Sequence, residues 1–122
     1  MRKYILVLLS VLLFTTASVA QEKKEVIIFS QPTCYFCKLL NTELESGIKA
    51  ANPNVKFTIL DVYDTEDRKI LNSLAIKHNI KGDIGTPLIF VGKNHMMGWG
   101  EDAGKQLQKY IDEMNKRLNR LT

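Results

Sequence analysis

The sequence predicts an α/β domain with the element order βαβαββα, a central mixed four-stranded sheet flanked by helices. Three observations carry this. Short β-branched, apolar runs alternate with longer stretches whose apolar residues recur every three to four positions. Turn-forming residues separate the two kinds of segment. The last two strand-like runs stand a tight turn apart, without a helix between them.

Glu25 to Ser30 contains Val26, Ile27, Ile28 and Phe29, a continuous apolar run suited to a strand buried on both faces. Gln31-Pro32-Thr33 breaks it. A helix is predicted from about Cys34 to Ala50, with Thr33 as N-cap and Cys37, Leu40, Leu44 and Ile48 on one stripe. Asn52-Pro53-Asn54 turns the chain into a second strand, Val55 to Val62. Asp64 or Thr65 caps a helix to about His78, with Ile70, Leu71, Leu74 and Ala75 facing inward. After a glycine-bearing loop, Pro87 opens the strand Leu88 to Val91. Gly92-Lys93-Asn94 then turns it back into His95 to Met97. Glu101 to Leu121 reads as the last helix, with Ala103, Leu107, Tyr110, Ile111, Met114 and Leu118 as its apolar face. Strands joined through helices imply parallel pairing, and the final hairpin adds an antiparallel edge.

Residues 1–20 read as a secretory signal. Arg2 and Lys3 precede an apolar run from Ile5 to Phe14, and Ser18-Val19-Ala20 is a small-x-small cleavage site. The run is short of the about 20 apolar residues that cross a bilayer as a helix. Cleavage would leave residues 21–122 as one domain, periplasmic or secreted, with no membrane attachment, in a compartment where disulfides persist. An uncleaved anchor is the alternative. The formal charge of +4 falls to +2 without Arg2 and Lys3. The remaining charges are interspersed, and the basic stretch from Lys105 to Arg120 suits the solvated face of a helix. No interleaving of basic and aromatic residues points to nucleic acid. No dimerisation segment is evident, which favours a monomer.

The chain has two cysteines, Cys34 and Cys37. Residues three apart on a helix are neighbours, so the two thiols can close a disulfide across its first turn. The helix N-terminus favours the thiolate of the first cysteine, and the thiolate is the attacking form. The pair therefore forms a reversible two-electron couple. Three other readings stand beside this one. A structural staple would close almost no loop and stabilise little. A zinc site would need His78 and His95, which lack ligand spacing. His95-Met96-Met97 admits a copper-binding or chaperone module. No metal and no cofactor is assigned.

The element order, with Cys-x-x-Cys after the first strand, resembles the thioredoxin superfamily in its minimal glutaredoxin form. Phe29-Ser30-Gln31-Pro32-Thr33-Cys34-Tyr35-Phe36-Cys37 is similar to the glutaredoxin stretch leading into Cys-Pro-Tyr-Cys. Thr86-Pro87 stands where the superfamily carries its cis-proline loop. Gly98, Trp99 and Asp102 match part of a Gly-Gly-x-x-Asp pattern. The resemblance implies that Cys34 is the nucleophile and Cys37 resolves the mixed disulfide. It also implies that Thr86, on a cis bond to Pro87, presents its backbone to an extended substrate. Tyr35, Phe36 and Trp99 are expected to rim the site. Gln31 replaces a glutaredoxin lysine, Thr86 a valine and Trp99 a glycine. Ile28 holds the position of the thioredoxin buried aspartate. These departures weaken glutathione as a partner. The expected function is an exported thiol–disulfide oxidoreductase acting on protein thiols and disulfides, recharged by a redox partner protein. A glutathione-dependent dithiol glutaredoxin is the nearest alternative.

Overall fold

The computed structural model describes residues 24–121, so the signal segment expected over residues 1–20 lies outside the described residues. The elements are β1 (Glu25–Ser30), α1 (Tyr35–Glu43), β2 (Lys56–Asp61), α2 (Thr65–Lys77), β3 (Leu88–Val91), β4 (Asn94–Met97) and α3 (Ala103–Leu121). α1 runs on without a break through a π-helical turn, Leu44–Ile48, and a last α turn, Lys49–Ala51.

The sheet order is β2-β1-β3-β4. β1 pairs with β2 in parallel, as the intervening helix implies. β3 departs from the expectation of parallel pairing. It lies antiparallel to β1, opposite the side taken by β2. The loop from His78 to Pro87 is long enough to turn the chain before it re-enters the sheet, so α2 is not a simple parallel crossover. β4 completes the antiparallel hairpin.

Strand parity divides the core into two faces. Val26 and Ile28 of β1 and Ile89 and Val91 of β3 face α1 and α3, where they meet Leu40, Leu44, Leu107, Ile111, Met114 and Leu118. Phe29, Leu88 and Phe90 face α2, where they meet Leu71. All four residues of β3 are buried, because both faces of this central strand are covered. In α2, Leu71 is buried and Leu74 and Ala75 are half-buried, whereas Ile70, expected inward, is exposed.

The π turn was not foreseen. Leu40, Leu44 and Ile48 recur every four residues, a wider period than the 3.6 of an α-helix. A locally widened turn keeps all three against the sheet, with Leu44 fully buried. Gly92, in the β3–β4 turn, has φ +60°, and a Cβ there would meet the Met114 side chain at 3.3 Å. Both facts call for glycine. Among the described residues no helix is long and apolar enough to cross a membrane.

Candidate active site

β1 delivers the chain to the start of α1, and the loop before β3 brings Thr86 and Pro87 to the same place. Cys34 is itself the N-cap of α1, in place of the expected Thr33. Its backbone is extended (φ −86°, ψ 112°), and its Sγ accepts the Cys37 N–H at 3.1 Å. Sulfur thus takes the role that a hydroxyl or carboxylate oxygen usually fills at a helix start. The Cys34 N–H donates to the Gln31 carbonyl at 3.2 Å, which holds the approach turn.

Cys34 and Cys37 form a disulfide with their Cα atoms 5.2 Å apart. Both are buried, at 7% and 6% exposure, so the second cysteine is no deeper than the first. In the reduced protein two contacts act on Cys34 in opposite senses. The Cys37 N–H and the helix dipole favour the thiolate. The Thr86 carbonyl oxygen, 3.6 Å from Cys34 Sγ, favours the protonated thiol, which can donate to it. The first turn of α1 contains no acidic residue to oppose the thiolate.

The Thr86–Pro87 peptide bond is cis. Pro87 is fully buried, and its carbonyl accepts the Gly98 N–H at 2.8 Å. This bond ties the loop to the end of β4. Met97 braces it further, since its Sδ accepts the Gly85 N–H at 3.2 Å. Tyr35 (66% exposed) and Phe36 (49% exposed) stand edge to face beside the disulfide, with ring centroids 5.4 Å apart.

Trp99 is not part of this rim. It is 5% exposed and packs in the core cluster that holds Leu40, Leu44 and Leu107. Gly98, at φ +86°, turns the backbone just before it and lets the indole enter the core. The indole Nε1 is buried without a hydrogen-bond partner. The exposed apolar side chains near the cis-proline loop are Ile84 and Met97. Strand parity separates Met97 from Met96, which packs against the core. The same parity splits the His95-Met96-Met97 trio, setting Met96 on the opposite face of β4 from His95 and Met97.

His78 and His95 meet although the sequence places them far apart. Their ring centroids are 5.4 Å apart, and Phe90 packs against both. Burial, then His95, then Lys77 lower the pKa of His78 below its ordinary 6.5. Phe90 belongs to the core face that packs on α2, away from the α1 face of the sheet. Among the described residues no group of three or more His, Cys, Asp or Glu side chains is placed to hold a metal ion.

The fold has counterparts among solved structures. The mitochondrial thioredoxin 3 of Saccharomyces cerevisiae, in its oxidised form, superposes with a TM-score of 0.54 at 22% identity over 76% of this chain and 81% of that one. The fold is thioredoxin-like. A chain from the structure describing the thiol-resolving mechanism of yeast mitochondrial 1-Cys peroxiredoxin via glutathione/thioredoxin systems gives 0.55 at 23% identity, covering 76% and 80%. A glutaredoxin from Archaeoglobus fulgidus gives 0.50 at 22% identity, covering 79% of this chain and 97% of that one. No family model matches the sequence. No curated protein matches it either. These likenesses show the fold; on it, the Cys34–Cys37 disulfide at the start of α1 is the group able to exchange with other thiols.

Proposed function

We propose that this chain is an exported thiol–disulfide oxidoreductase that exchanges disulfides with protein substrates. The observation that carries the reading is the placement of Cys34. It caps a helix N-terminus, is paired with Cys37 one turn on, and lies under the Thr86 carbonyl of the cis-proline loop. As thiolate, Cys34 attacks a substrate disulfide and one substrate sulfur leaves. Cys37 then attacks Cys34 Sγ, restores the intramolecular disulfide and releases the second substrate thiol. The exposed Tyr35 and Phe36 next to the disulfide, with Met97 against the cis-proline loop at Gly85, offer apolar surface suited to extended or unfolded polypeptide. The backbone at Thr86 is available to pair with such a strand.

Replacing Cys37 tests this directly. Cys37→Ala cannot resolve the first intermediate, so covalent adducts through Cys34 should accumulate and disappear on addition of reductant. If no adducts form, and the wild-type protein neither reduces nor oxidises a model protein disulfide, the reading fails. Efficient turnover of a glutathionylated substrate, with none of a protein disulfide, would establish the glutaredoxin alternative instead.

A further inference from the structure

The Cys34–Cys37 disulfide has two sides. One faces Thr86 and the exposed aromatic pair. The other opens into a solvent-connected cleft of about 250 Å³ between the start of α1 and the ends of β1 and β2. Cys37 lines this cleft, whereas Cys34, Thr86 and Pro87 do not. Its inner wall is apolar, formed by Ile28, Leu40 and Leu44, and its polar lining includes Ser30, Asn41 and Lys38. Among the described residues Lys38 is the one charged side chain in its lining, and no carboxylate contributes to it.

The chemistry of Cys37 gives this cleft a task. Cys37 must lose a proton before it can attack Cys34. It is buried, at 6% exposure, which disfavours its thiolate. It also stands one turn inside the helix, where the benefit of the N-terminal dipole is declining. With no carboxylate in the described lining, water in the cleft is the acceptor within reach of this proton. The cleft is large enough to admit several waters and has polar side chains to hold them.

We propose, resting on the oxidoreductase reading above, that water in this cleft carries the Cys37 proton, and that Lys38 is a positioning residue whose charge favours the Cys37 thiolate. In the resolving step the Cys37 S–H gives its proton to cleft water. The thiolate electron pair forms the Cys34–Cys37 bond, the bond from Cys34 to the substrate sulfur breaks, and the substrate leaves as a thiolate that is protonated from solvent. Over the whole cycle the cysteine pair loses two electrons and the substrate disulfide gains them.

The experiment uses Cys34→Ser to isolate Cys37 and titrates its thiolate by ultraviolet absorbance. Adding Lys38→Met should raise the midpoint by about half a unit, a modest shift because an exposed cation is partly screened. Lys38→Arg should restore the midpoint, and high salt should shrink the difference. In the same background Asn41→Leu, which makes the cleft less polar, should slow alkylation of Cys37 by iodoacetamide several-fold. A midpoint unmoved by Lys38→Met, or an alkylation rate unmoved by Asn41→Leu, overturns the proposal. If Cys37→Ala still traps substrates in that event, the oxidoreductase reading stands without it. If nothing is trapped, the failure lies in the earlier reading, whatever the titration gives.

Discussion

Replacing Trp99 separates a core residue from a substrate-binding one. The indole is 5% exposed, lies among Leu40, Leu44 and Leu107, and keeps its Nε1 without a hydrogen-bond partner. Trp99→Ala empties a buried aromatic site and should cost about 3–5 kcal/mol. That is a large share of the roughly 5–15 kcal/mol that holds a domain of this size together. Trp99→Phe behaves differently. It loses part of the ring's packing but also removes a buried N–H whose lack of a partner costs about 1–3 kcal/mol. The two effects oppose each other, so its net change should lie within about 1.5 kcal/mol of zero. In a domain of about 100 residues each kcal/mol moves Tm by about 4–8 °C, so the two variants are easily told apart. Urea unfolding gives the midpoint, with an unchanged m-value confirming that stability has changed. Exchange with a disulfide-bonded peptide, measured well below the unfolding transition, supplies the functional arm. Trp99→Phe should exchange at close to the wild-type rate. A tenfold slower reaction with peptide, at unchanged stability, would refute the placement of Trp99 in the core.

Other perturbations follow from the same contacts. His78 has a lowered pKa, so the unfolded chain takes up its proton at a higher pH than the folded one. Stability should therefore fall as pH drops through 6.5 towards the folded value and level off below it, and His95→Gln should soften this fall in urea midpoints measured from pH 8 to pH 5. Gly92→Ala combines φ +60° with a 3.3 Å approach to Met114 and should cost about 1–3 kcal/mol by thermal unfolding. Tyr35→Ala and Phe36→Ala remove exposed rings beside the disulfide. Each should leave stability within about 0.5 kcal/mol of wild type. Together they should raise KM for an unfolded protein substrate more than for a small aromatic disulfide.

The fold was legible where local signals agree with tertiary demand. The run Val26 to Phe29 reads as a doubly buried strand and is one. The stripe Leu107, Ile111, Met114 and Leu118 is the buried face of α3. The pairing of Cys34 with Cys37 followed from their spacing at a predicted helix start, and the cis Thr86–Pro87 bond from a resemblance. What escaped depends on partners distant in sequence. Gly98 directs Trp99 inward, but nothing local distinguishes a rim indole from a core one. The antiparallel β3 pairs with β1, some sixty residues earlier in the chain, and no local signal in Leu88 to Val91 gives its direction. His78 and His95 meet only because the end of α2 and the start of β4 pack on Phe90. The cleft beside Cys37 needs α1, β1 and β2 together. The four-residue spacing of Leu40, Leu44 and Ile48 was visible, and it was the available sign of the π turn.

The central claim is that Cys34 and Cys37 are a working couple and not a staple. Equilibration of the purified protein in glutathione buffers of graded potential, with the thiols counted by alkylation and mass, measures this directly. A redox couple should titrate as one two-electron transition between about −270 and −120 mV, the span of working oxidoreductases. A disulfide that stays closed below about −300 mV would behave as a structural bridge and contradict the account.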